Sequence, residues 1–207
     1  MAEFLQISEH LLNEAQYFYN TVTDFTNKSA ELLERGMIEE FHENEIRSVY
    51  YRNAFFRSFY ALVEGNLYNL KYIASCLKLR PGVNFSDGDL YMMQEISYEI
   101  KDDGRVRQVN TKMRLKNNFR FSLDVFIRAT GIPITIDYSS LGWPAFISCI
   151  GVRDRLMHPK IHQDVLVTHD DMMKVSIAYV WFANIMRDIL QQLSERMEVL
   201  QPYIEAS

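Results

Sequence analysis

The sequence predicts a mainly α fold, a four- to five-helix up-down bundle with a small β-hairpin insertion near residues 95–110. Three observations carry that expectation. Gly and Pro number only 8 and 5 among 207 residues, too few breakers for a strand-rich sandwich. Apolar residues recur at spacings of three and four over long stretches. Sharp stop signals, Arg80-Pro81-Gly82 and Gly131-Ile132-Pro133, separate those stretches. No repeat, low-complexity tract or linker interrupts the chain, so one domain over 1–207 is expected, and the length is sufficient for a sizeable core.

Taken in order, the first helix is expected from about Leu5 to Arg35, with Leu5, Leu12, Ala15, Phe18, Val22, Phe25, Leu32 and Leu33 at helical spacing and Gly36 as a stop. A second runs from about Asn44 to Leu79, its apolar face formed by Tyr51, Phe55, Phe59, Leu62, Leu70 and Ile73. The two suggest an antiparallel pair. Ser86-Asp87-Gly88-Asp89 reads as a turn capping a short helix through Met93. Ile96, Tyr98 and Ile100 then alternate with polar residues, and Asp102-Asp103-Gly104 before Val106 and Val109 reads as a hairpin turn. Helical spacing returns from Phe119 to Ala129. A further helix is expected from Pro144, which suits a first helical position, to Met157, where Pro159 forces the chain out of helix. Thr168 with Asp171 three residues on caps a last helix to about Leu200, near Pro202.

The net charge of -5 does not advertise a polyanion partner, but its distribution is uneven. Lys101, Arg105, Arg107, Lys112, Arg114, Lys116 and Arg120 face only Asp102 and Asp103 within residues 101–120. Such a basic island holds phosphates, or is simply a solvated loop face. Cys76 and Cys149 are far apart in apolar helical stretches and read as reduced core thiols. The N-terminus has no basic segment followed by an apolar core, and no window reaches the roughly 18 apolar residues of a membrane span, so a cytoplasmic protein with no membrane partner is expected.

Chemistry concentrates in Arg153-Asp154-Arg155-Leu156-Met157-His158. Five steps of an ideal helix turn about 500°, which leaves His158 about 140° round from Arg153. Pro159 relieves this by biasing His158 out of helical conformation, so that its imidazole swings free at the terminus. A histidine moves protons near neutral pH, and an arginine grips phosphate oxygens through a planar fork. The plainer alternative is that His158 caps carbonyls and Arg153 pairs with a neighbouring carboxylate.

An arginine, a polar residue and a histidine closing a late helix, followed by a long capped helix, resemble the motif of the HEPN superfamily. The resemblance implies a helical bundle and a metal-independent endoribonuclease with no cofactor. The 2′-OH would attack the adjacent phosphorus at a composite site in a homodimer. His158 would transfer protons, Arg153 would stabilise the phosphate charge, and Asp154 would position one of them. It also implies RNA as substrate, a protein inhibitor or antitoxin as a regulator, and a setting in defence or toxin–antitoxin systems. A HEPN-fold module without activity, binding a protein partner or a nucleotide, is the alternative. Arg155 would bind phosphate or be a plain surface residue, and Arg105, Arg107, Lys112 and Arg114 would steer RNA.

Asn53, Arg57, Tyr60 and Glu64, at steps of four, three and four, form one polar stripe on the second helix. By the same resemblance Glu64 would orient Arg153, or Asn53 and Arg57 would line the cleft. The alternative is an exposed ladder contributing roughly 0.2–0.5 kcal/mol per pair. His158 and His162 are four apart, but Pro159 denies them a shared helix, so no metal site is expected. His169 reads as a capping residue, and His10 and His42 as surface ones. Trp181-Phe182 and Met172-Met173 read as core or dimer packing.

Overall fold

The computed structural model describes Glu31, Arg35 and residues 45–204. The expected first helix lies outside the described residues except for Glu31 and Arg35, which are helical and joined by an ion pair at 2.6 Å. His10 and His42 also lie outside them. The fold is mainly helical: α1 (Glu45–Cys76), α2 (Asp87–Met93), α3 (Leu115–Thr130), α4 (Gly142–Met157) and α5 (His169–Ile204). An antiparallel pair, β1 (Ile96–Ile100) and β2 (Val106–Asn110), stands between α2 and α3, and a 3-10 turn (His162–Val165) precedes α5. None of the described helices is long and apolar enough to cross a membrane.

The chain groups into two compact units. Among the described residues, one takes those up to Val63 together with Thr135–Arg187; the other takes Glu64–Ile134 and residues 188–204.

The first unit has an aromatic core. Phe59 is fully buried and meets Phe146, Tyr179 and Phe182 edge-on at 6.5, 5.9 and 6.1 Å between centroids. Trp143 stacks on Phe146 at 5.9 Å. This core is where the periodicity of α1 finds its partners, and it seats α4. That helix begins at Gly142, two residues before the expected Pro144. Pro144 is tolerated in the first turn because the amide it lacks has no intrahelical acceptor there. Glycine is required at 142, since a Cβ would lie 2.1 Å from Cγ of Trp181.

The second unit buries Ala74, Leu77, Met93, Val125, Ala129 and Leu200 against one another. Its helix ends are closed by side chains. Ser86 and Asp89 form a reciprocal capping box at the start of α2. At the end of α3, Gly131 turns left-handed (φ +66°), and the carbonyls of Ala129 and Gly131 accept from Arg80 at 2.7 Å and Arg196 at 2.8 Å. Arg128 reaches Asp89 and Asp124 at 3.2 and 2.9 Å and lies over the ring of Phe85. Its hydrogen bond to Asp89 holds that carboxyl below its usual range.

The hairpin matches the alternation in the sequence, with Ile96 opposite Asn110 and Ile100 opposite Val106. Its loop is a turn over Lys101–Gly104, with the Gly104 amide donating to the Lys101 carbonyl at 2.8 Å and Gly104 at φ +77°. The hairpin's base rests on Glu95, a non-glycine residue at φ +55°, whose carboxylate pairs with the fully buried side chain of Lys71.

Candidate functional site

α4 is regular through Met157, and the chain leaves helical conformation at His158 (φ −133°, ψ 58°), where Pro159 predicts the break. The His158 amide still closes the helix by donating to the Asp154 carbonyl at 3.1 Å. Its backbone is therefore fixed while its imidazole is exposed and makes no hydrogen bond or ion pair among the described residues. Arg153 is half-buried, and its Nη1 donates to Oδ1 of Asp154 at 2.9 Å. Asp154 is thus paired with Arg153.

The segment after His158 is held by side chains. Arg155 donates through Nη1 to the carbonyls of Asp164 at 3.0 Å and Leu166 at 2.5 Å, and through Nη2 to Asp171 at 2.9 Å. Its guanidinium thus clamps the loop onto the start of α5. Asp164 in turn accepts from the amides of Lys160 and Ile161, and those two bonds hold its carboxyl below the usual value. Thr168 and Asp171 form the reciprocal cap expected at the start of α5.

Part of the α1 stripe reaches the same place. Arg57 donates to the Leu156 carbonyl at 3.0 Å, in the last turn of α4, and Asn53 to the Val165 carbonyl at 2.9 Å. Tyr60 donates to the Phe146 carbonyl at 2.9 Å. Asn53 and Arg57 are thus struts to the motif helix and its loop, where an exposed intrahelical ladder was the alternative. Oδ1 of Asn53 is buried with no partner among the described residues. Glu64 is exposed and belongs to the second unit. Burial pushes the Tyr60 phenol far above its ordinary value, against a smaller downward pull from Arg153, so it stays a neutral donor. Burial also pushes the Cys149 thiol up to about 12, which leaves it protonated and a poor nucleophile. Cys76 and Cys149 are both free thiols.

Sequence reasoning missed Arg52, which is buried and donates to the Val167 carbonyl at 3.0 Å. Only its place beside Asn53 hinted at this. It also missed Asp164 as the loop's acceptor, because nothing in the spacing marks a carboxylate that binds amides three and four residues back. His162 lies exposed in the 3-10 turn, and no three His, Cys, Asp or Glu side chains gather as a metal-ligand group among the described residues.

Arg105 and Arg107 lie on the hairpin in the second unit. Both are exposed, and they pair with Asp103 at 3.6 Å and Glu99 at 4.0 Å. No protein-family model matches the chain, and neither a curated protein nor a solved structure matches it.

Proposed function

We propose that the chain is a metal-independent endoribonuclease with the helical bundle and composite dimer site of the HEPN superfamily. The observation that supports this reading is the disposition of His158. A proton-transfer group is exposed and unengaged on a fixed backbone, five residues after an arginine braced by its own neighbour. Arg52, Asn53, Arg57 and Arg155 hold the surrounding backbone, so little reorganisation is needed when substrate binds.

In the reaction, the 2′-oxygen forms a bond to the adjacent phosphorus as the bond to the 5′-oxygen breaks. One histidine takes the 2′-hydroxyl proton and a second protonates the leaving oxygen. A single chain supplies one such histidine, so a second copy completes the site. Arg153 from each copy stabilises the charge that develops on the phosphoryl oxygens. A protein inhibitor or antitoxin would act by covering this site, in a defence or toxin–antitoxin setting.

Cleavage of mixed RNA in EDTA tests the proposal. Wild type should cut, and His158→Ala and Arg153→Ala should fall to background with folding intact. Equal background-level products from all three would rule it out, as would a protein that stays monomeric at micromolar concentration.

A second reading is a HEPN-fold interaction module without activity. It is favoured by an apolar row on α5, where Met173, Ile177 and Val180 are 47%, 40% and 56% exposed at helical spacing. Such a row fits a protein partner better than a phosphate chain.

A further inference from the structure

The β-hairpin presents two chemically different faces. Side chains alternate along a strand, and the register sets Tyr98 opposite Gln108 and Ile100 opposite Val106. These four share one face. Glu99 and Arg107 share the other, with Lys101 and Arg105 continuing it into the turn. The first face is uncharged and open: Ile100 is 77% exposed, Val106 67% and Tyr98 50%. Tyr91 from α2 joins it edge-on to Tyr98, 5.3 Å between centroids at 77°.

The cations nearby differ in availability. Arg105 and Arg107 each have a carboxylate beside them. Lys101, Lys112, Arg114 and Lys116 are exposed and form no ion pair among the described residues. An apolar protein partner would be served by Ile100 and Val106 but has no use for these charges. A polyanion has a use for both halves when its apolar faces are uncovered, which is the case for unpaired bases on a phosphate chain.

We infer that the hairpin is a binding platform for single-stranded RNA, with bases stacking on Tyr98 and Tyr91 and the unneutralised Lys112 and Arg114 holding phosphates. Duplex is disfavoured because paired bases present their edges and hide the faces that stack. The inference rests on RNA as the ligand of the proposed function, but it requires no cleavage at His158.

The test is fluorescence anisotropy of a labelled RNA strand of about 12 nucleotides. The full chain carrying His158→Ala is used, so that the strand survives, and titrations are repeated at several salt concentrations. Tyr91→Ala with Tyr98→Ala should weaken binding about tenfold or more while leaving the salt dependence unchanged. Tyr98→Phe should keep the affinity. Lys112→Ala with Arg114→Ala should weaken binding and flatten the log–log salt slope by about 1.4. The strand annealed to its complement should bind less tightly and ignore the tyrosines.

Absence of binding at about 50 mM salt would overturn the platform. So would unchanged affinity in the folded double tyrosine variant, or equal tyrosine-dependent binding of the duplex. The two proposals fail separately. Cleavage by wild type with tyrosine-independent binding removes the platform alone, whereas tyrosine-dependent binding without cleavage removes the nuclease alone.

Discussion

The loop between α4 and α5 and the hairpin between α2 and α3 are both short irregular excursions from a helical chain, and they are secured in opposite ways. In the loop, three arginines and an asparagine from α1 and α4 take the carbonyls of Leu156, Asp164, Val165, Leu166 and Val167. The hairpin is secured by its own ladder and by an ion pair at its base between the buried Lys71 and the part-exposed Glu95, and most of its side chains stand in water. The difference separates two tasks. On the function proposed above, a site that holds a proton-transfer group has its backbone bound from outside, and on the further inference a surface that presents side chains to a flexible strand is served by a stiff ribbon.

The comparison can be broken first at the hairpin's base. Glu95→Ala leaves the ammonium of Lys71 buried without its carboxylate and should destabilise by about 3 kcal/mol in urea denaturation. A loss below about 1 kcal/mol would mean that the ladder alone suffices. The loop's counterpart is Arg155→Ala, which removes two carbonyl contacts and the bond to Asp171. It should cost roughly 2 kcal/mol and open the 159–167 segment to limited proteolysis while the hairpin stays resistant. Asn53→Ala, losing one neutral bond to the same loop, should cost about 1 kcal/mol.

The smallest effect is one of pH. The folded Asp164 carboxyl lies below its ordinary value because two amides bind its ionised form. Its contribution is therefore complete above the unfolded value of about 4 and is lost as pH falls through the lower folded value. Comparing wild type with Asp164→Asn at pH 7 and pH 3 should show the wild-type advantage at neutral pH and a smaller one in acid. An advantage undiminished in acid would place the loop's acceptor elsewhere.

Much of this was legible from residue order because it depends on neighbours. The break at His158 follows from Pro159, the α5 cap from Thr168 and Asp171, and the hairpin from alternation around Gly104. What was hidden depends on residues distant in sequence. Arg155 looks like any surface arginine until the chain returns sixteen residues later with Asp171. Lys71 sits within an apolar helical stretch, yet no spacing rule announces that a carboxylate at position 95, on a left-handed residue, will meet it. Asn53 and Arg57 were ambiguous for the same reason, since a polar stripe reads alike whether it faces water or another segment's carbonyls.

The two-stranded ribbon has one more consequence. Having only two strands, it leaves an outer edge on each, lined with amides and carbonyls that could pair with a strand from another molecule. Tyr98, Ile100 and Val106 make that region prone to such stacking, and the charges of Lys101, Arg105 and Arg107 oppose it. Neutralising these cations should therefore lower solubility, and the loss should grow with protein concentration.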